Sequence, residues 1–158
     1  MSFIKQYRCT LCHQTIEYDK NIMTCPSCGE KGILDIEYDY EEMRKLVDIH
    51  YFKNQKDFSM WRYSPMLPVE QKHVSQMLKI GGTPLYRSNK LEKELNIKKL
   101  YIKDEGTNPS ASLKDRASGV AVLKAIENGY DTISCSSTGN AASSLACHAA
   151  RMNLKTVI

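Results

Sequence analysis

Four of the six cysteines fall in two short pairs, Cys9-x2-Cys12 and Cys25-x2-Cys28, with twelve residues between the pairs. This is the spacing of a zinc ribbon, in which each pair of thiolates closes on one ion at about 2.3 Å and a hairpin joins the pairs. Pro26 and Gly29 suit the second turn, since Pro fixes the entry and Gly accepts the positive φ that follows. His13, next to Cys12, reads as a bystander rather than a fifth ligand. Cys9, Cys12, Cys25 and Cys28 leave a tetrahedral ion no open position, so the expected site is structural zinc, with iron in a rubredoxin-like site as the rival. One Zn²⁺ with four thiolates takes the formal charge of +4 down by two. Lys5, Arg8, Lys20 and Lys31 lie near in sequence to offset the local negative charge.

The remainder of the composition is that of a globular chain. With 158 residues, 42% hydrophobic and 25% charged, there is enough chain for one domain or a domain with a small appendage. No window reaches the roughly 18 consecutive apolar residues of a membrane span, and Met1 to Arg8 lacks the apolar stretch of a secretory signal. No membrane is expected, and the cytoplasm is the expected compartment. Six cysteines there read as metal ligands or free thiols rather than disulfides. The basic residues form no run longer than an adjacent pair such as Lys98-Lys99, so no nucleic-acid partner is expected.

Three stretches differ in texture: 1–36 is rich in Cys and turn residues, 37–80 has helical periodicity, and 81–158 alternates β-rich with Ala-rich segments. Met43, Leu46, Val47 and His50-Tyr51 predict one amphipathic helix, and Pro68 starts a second over Val69 to Lys79. Between them Trp61 reads as a hydrophobic anchor. In the last stretch, strands are predicted at Leu100–Lys103, Thr132–Cys135 and Lys155–Ile158, with helices at Leu113–Asn128 and Ala141–Met152. This alternation predicts an α/β fold with βαβ crossovers and a parallel sheet. Thr156-Val157-Ile158 is an apolar strand with nothing after it to cover its neighbour, so further chain, or another chain, is expected to complete the sheet.

The chemistry concentrates at two points. In Asn108-Pro109-Ser110-Ala111-Ser112-Leu113-Lys114-Asp115-Arg116, the pattern Ser112-x-x-Asp115 predicts a capping box that seats Lys114 at the second helical position. The positive end of the helix dipole and the nearby Arg116 both disfavour an ammonium there, and a neutral amine is what condensation with a carbonyl requires. Asp115 works against this, or pairs with Arg116. The alternative is a solvated Lys-Asp-Arg triplet at an ordinary helix start. Ser136-Ser137-Thr138-Gly139-Asn140 then follows a strand and opens a helix, which is how a backbone anion cradle is built, the alternative for such a loop alone being an ordinary βα turn. Together the two motifs mark the strand-end edge of a parallel sheet, where ligands bind.

With these motifs, the sequence resembles the fold-type II pyridoxal-phosphate (PLP) enzymes, whose catalytic domain is a three-layer parallel-sheet α/β structure. Within them it is similar to the threonine synthase branch, a likeness carried also by Gly81-Gly82-Thr83-Pro84-Leu85, by Trp61-Arg62-Tyr63 with Leu67-Pro68, and by the N-terminal ribbon. The resemblance implies that Lys114 binds the cofactor covalently and later moves protons. It also implies that Ser136, Ser137, Thr138 and Gly139 hold the carboxylate of a small amino-acid substrate, and that Asn140 hydrogen-bonds the phenolic oxygen of PLP. Ala111, Leu113 and Ala117 stand where the commoner pattern has Gly, Phe and Gly. No glycine follows Gly139, although the family binds the cofactor phosphate in a Gly-rich loop further along. A missing C-terminal half is therefore expected, so 81–158 would be the first part of the catalytic region and inactive alone. A homodimer is an open expectation. The rivals are threonine dehydratase, cysteine synthase or cysteate synthase, which share the lysine motif, and a non-catalytic zinc-ribbon docking module.

Overall fold

A computed structural model describes residues 3–158. These form two compact units, one made of the residues up to Lys56 with Arg62–Lys72, the other of Asp57–Trp61 with His73–Ile158.

The first unit begins with strands β1 (Ile4–Cys9), β2 (Thr15–Glu17) and β3 (Leu34–Tyr38), arranged antiparallel in the order β2-β1-β3. Tyr7 stands at the centre, opposite Ile16 on one side and Ile36 on the other. Most of this sheet is half-exposed, and its fully buried side chains include Cys9, at the end of β1. A sheet this small cannot bury enough apolar surface to stand alone, so the cysteine cluster has a stabilising role to fill. Two short helices follow where the periodicity predicts one: α1 (Tyr40–Leu46) and α2 (Ile49–Asn54). The break is local chemistry. Val47 is extended, and the Asp48 carboxylate accepts the Tyr51 N–H at 2.8 Å, capping a fresh start. The helix predicted over Val69–Lys79 is instead a 3-10 turn, Gln71–Gln76.

The second unit contains β4 (Leu85–Arg87), α3 (Asn89–Glu94), β5 (Tyr101–Lys103), a 3-10 turn (Glu105–Thr107), α4 (Asp115–Glu127), β6 (Thr132–Ser134), α5 (Asn140–Arg151) and β7 (Lys155–Val157). Its composition of alternating strands and helices is α/β, as expected. The pairing differs from one continuous parallel sheet. β6 and β7 are parallel and joined through α5, giving a βαβ unit, whereas β5 pairs antiparallel with β4. Glu92 explains the return: its carboxylate accepts both Arg87, on β4, and the Leu100 N–H, just before β5, and so folds the α3 connection back on itself.

The core of this unit lies along α4 and α5, which pack on each other. Val122 and Leu123 from α4 meet the same interior as Leu145 and Ala149 from α5, with Trp61 and Ile80 also buried. Trp61 is the anchor that the sequence predicts, and its indole N–H reaches the Leu78 carbonyl at 2.9 Å. The indole lies against Gly119, where a Cβ would sit 2.5 Å from Ile80 Cδ1 and 3.2 Å from Trp61 Cζ2. Among the described residues, no helix is long and apolar enough to cross a membrane.

Candidate functional site

The cysteine cluster is assembled by two turns. Cys9 ends β1 and Cys12 lies in the turn after it, where the Leu11 N–H points at Cys9 Sγ and the His13 N–H bonds the Cys9 carbonyl. In the second turn, Cys28 and Gly29 donate to the Cys25 carbonyl, and Cys25 donates to Gly32. Gly32 is required by close approach, since a Cβ there would fall 2.5 Å from Cys25 Cβ and 2.8 Å from Cys28 Cβ. Four sulfurs around an ion at about 2.3 Å stand roughly 3.8 Å apart. Here Cys12 and Cys25 Sγ are 3.7 Å apart, and all four sulfurs lie within 4.8 Å of one another. The cluster therefore fits a tetrahedral metal ion. The Cys12 backbone N–H pulls the Cys9 thiol down to about 7, while its hydrogen bond to the Cys12 sulfur pushes Cys28 up to about 12. Cation binding must then displace protons from the cluster. Arg8 is engaged elsewhere, with Glu37 and the His13 carbonyl.

At the lysine motif, α4 begins at Asp115, two residues later than the expected capping box places it, and Lys114 is its N-cap residue. The Ser112 hydroxyl accepts the Lys114 N–H at 3.1 Å rather than capping a longer helix. The turn that precedes it is tight: the Ala111 N–H bonds the Asn108 carbonyl, and Ala111 takes a left-handed φ of 57°. The Lys114 side chain is exposed at the mouth of this helix.

Asp115 does not pair with Arg116. It turns inward and is fully buried, where its Oδ2 accepts the Ser110 N–H at 2.7 Å and its Oδ1 accepts the hydroxyls of Ser110 and of Ser144, the latter at 2.6 Å. His148 Nε2 lies 3.2 Å from the same Oδ1, also fully buried. Burial alone would raise the Asp115 pKa, but the donors from Ser110 and Ser144 outweigh it and hold the carboxyl below its ordinary value. Burial also lowers the His148 pKa, with Asp115 pulling the other way.

Arg116 turns outward to Glu105. Glu105 receives Arg116 through two bonds, the Thr83 hydroxyl at 2.8 Å and the Asn108 amide at 2.9 Å. The Arg116 guanidinium, with these further donors, holds its carboxyl at about 2. Asn108 in turn accepts the Gly81 N–H at 2.8 Å. Gly81 has φ of +83°, and a Cβ there would lie 3.0 Å from an Arg116 nitrogen. The Gly-Gly-Thr-Pro segment and the lysine motif, apart in sequence, are thus one hydrogen-bonded assembly.

The second motif precedes α5. Ser136, Thr138, Gly139 and Asn140 are exposed and Ser137 is half-buried, with the Ser137 hydroxyl accepting the Gly139 N–H at 3.3 Å. Among the described residues no side chain caps α5, so the N–H groups of Asn140 and Ala141 at its start remain available to an anion, while that of Ala142 bonds the Gly139 carbonyl. The link between the motifs is Ser144, one turn into α5, bonded to Asp115 next to Lys114. An exposed amine and an uncapped helix start, linked through Ser144 and Asp115, are groups that fit an aldehyde cofactor with anionic substituents.

Residues 77–158 match the family described as "Pyridoxal-phosphate dependent enzyme". The chain belongs to that family. It is 45% identical over 151 residues to a threonine synthase of Methanocaldococcus jannaschii and 40% identical over 151 residues to one of Methanosarcina acetivorans. In each case the match takes in 96% of this chain and 36% of the relative. A Bacillus threonine synthase is 43% identical over 97 residues, covering 61% of this chain and 27% of that protein. The chain thus spans about a third of the length of these relatives. Glu105, Gly32, Ser144 and His148 are the residues that sequence reasoning missed. For Ser144 and His148 a signal existed: both fall among Ala142, Leu145 and Ala149 on the buried face of an otherwise small-residue helix.

Proposed function

We propose that this chain is the lysine-bearing part of a PLP-dependent threonine synthase, which converts O-phospho-L-homoserine and water to L-threonine and phosphate. The observation that carries this reading is the joining of the lysine motif to the start of α5 through the 2.6 Å bond from Ser144 to Asp115. It couples the residue that would hold the cofactor to the loop that would hold the substrate. The likeness to threonine synthases over 96% of the chain supports the choice of reaction.

PLP, when bound, supplies an electron sink for charge developing at the substrate Cα. Lys114 would hold the cofactor and carry the proton removed from Cα. Ser136, Ser137, Thr138 and Gly139 would orient the substrate carboxylate through hydroxyl and backbone N–H donors, and Asn140 would donate to the phenolic oxygen of PLP. In this reading β6 and β7 belong to the larger parallel sheet of a three-layer catalytic region that begins near residue 81. The stretches 1–36 and 37–80 are then a ribbon module and a helical connector. Cys9, Cys12, Cys25 and Cys28 hold structural zinc, which needs reduced thiols and so a cytoplasmic setting.

The test is to incubate the protein with PLP, reduce with borohydride and locate the pyridoxyl label by mass spectrometry. Label concentrated on Lys114, and absent there from Lys114→Ala, is the expected result. Label spread evenly over exposed lysines such as Lys90 would refute the assignment. Phosphate release from O-phospho-L-homoserine by the whole gene product, lost in Lys114→Ala, tests the reaction itself.

A further inference from the structure

We infer that Asp115, Ser144 and His148 form a buried positioning device that sets Lys114 against the Ser136–Asn140 loop; this rests on the cofactor role proposed for Lys114. Three polar side chains without solvent access at a helix–helix contact are an expensive way to fill space. Apolar residues of similar volume would make the contact between α4 and α5 more stable. The cost is visible at His148: neither ring nitrogen has a well-aligned hydrogen bond among the described residues, although Nε2 lies 3.2 Å from Asp115. A Ser, a His and an Asp together suggest a hydrolytic triad, but here Asp115 stands between the other two and all three are sealed from substrate.

What the cluster does is fix two segments to one carboxylate. Asp115 follows Lys114 directly. Through Ser110 it holds the loop that leads into the lysine, by both the backbone N–H and the hydroxyl. Through Ser144 it holds α5, whose first turn begins at Asn140. His148 lies one further turn along the same face, equally buried, with Nε2 3.2 Å from the carboxylate. A shift of either helix would have to break bonds to Asp115, so the lysine and the loop move together or not at all. Charge is not what this arrangement needs. In Asp115→Asn the amide oxygen can still accept the Ser110 N–H, while its NH₂ donates to the Ser110 and Ser144 hydroxyls, which accept as readily as they donate.

The experiment applies the PLP and borohydride labelling to variants, with Lys90, at 86% side-chain exposure, as the internal reference. Ser144→Ala is expected to lower the preference for Lys114 over Lys90 by about fivefold, the worth of one hydrogen bond, and Asp115→Ala, which removes three, by more than that. Asp115→Asn should recover most of it. Val122→Ala loosens α4 without removing any hydrogen bond to Asp115 and should leave the preference unchanged. Amide exchange at Ser110, measured without cofactor, should quicken in Asp115→Ala and return toward wild type in Asp115→Asn. If Asp115→Ala does not fold by far-ultraviolet circular dichroism, Ser144→Ala, which removes a single hydroxyl, decides. An unchanged preference in Ser144→Ala, or an equal fall in Val122→Ala, overturns the inference. Absence of Lys114 preference in the wild type overturns the cofactor assignment itself and the inference with it, so the two failures are told apart.

Discussion

Arg116 grips Glu105 at two points, Nε to Oε2 and Nη2 to Oε1, both at 2.7 Å. Because Thr83 and Asn108 donate to the same carboxylate, this pair fastens the Gly81–Leu85 segment to the lysine motif. Such a two-point contact with a satisfied carboxylate is stronger than an ordinary surface ion pair. Glu105→Ala leaves four donor bonds unmade and is expected to cost about 2 kcal/mol in urea denaturation, the partial exposure of Arg116 keeping the figure modest.

The same carboxylate predicts an acid limit. Its folded value of about 2 lies below the ordinary one, so its contribution is fully present above about pH 4.5 and is lost as pH falls toward 2. Stability measured against pH should fall more gently through that window in Glu105→Gln than in the wild type.

His148 sets a second, milder window. Burial lowers its pKa, so the unfolded chain binds the proton more readily and stability declines as pH falls below about 6.5. His148→Gln should flatten the fall in Tm between about pH 6.5 and the onset of the Glu105 effect.

Gly119 is a packing constraint with a built-in reporter. A methyl group there meets Ile80 and the Cζ2 and Cη2 atoms of Trp61, the single tryptophan of the chain. Overpacking of about 1–3 kcal/mol is set against a helix-propensity gain below about 1 kcal/mol, so Gly119→Ala should be destabilised by about 1–2 kcal/mol. Trp61 fluorescence during unfolding gives the value, and its native emission should shift as the ring is displaced.

The cysteine cluster predicts metal dependence. Near-stoichiometric zinc by elemental analysis, lost in Cys25→Ser, is expected. A chelator should melt the β1–β3 sheet while leaving the Trp61 signal of the other unit in place. Gly32→Ala should weaken metal retention without removing a ligand, because its Cβ would press on Cys25 and Cys28.

Spacing made the cysteines, the lysine motif and the serine-rich loop legible, because each depends on residues close together in the chain. The helices α4 and α5 were legible for the same reason, through their periodicity. What escaped was non-local or set by one local bond. Glu105 carries no periodic signal and gains its meaning only when Thr83, Asn108 and Arg116 converge on it. Asp115 and Arg116, adjacent in sequence, project to opposite sides of the helix start, so a pairing between them was a misreading of neighbourhood as contact. The antiparallel placement of β5 follows from Glu92 bridging Arg87 and Leu100, a closure that strand propensity does not encode.

Ala111 holds a left-handed backbone ahead of the lysine, at a position where the commoner family pattern has glycine. A Cβ in that conformation costs about 1–2 kcal/mol, whereas glycine avoids the cost but surrenders about 0.5–1 kcal/mol of chain entropy on folding. The second cost offsets only part of the first, leaving alanine the costlier choice by up to about 1.5 kcal/mol. What such a turn selects for is its handedness, and an alanine there is a tolerated spelling of the same bend.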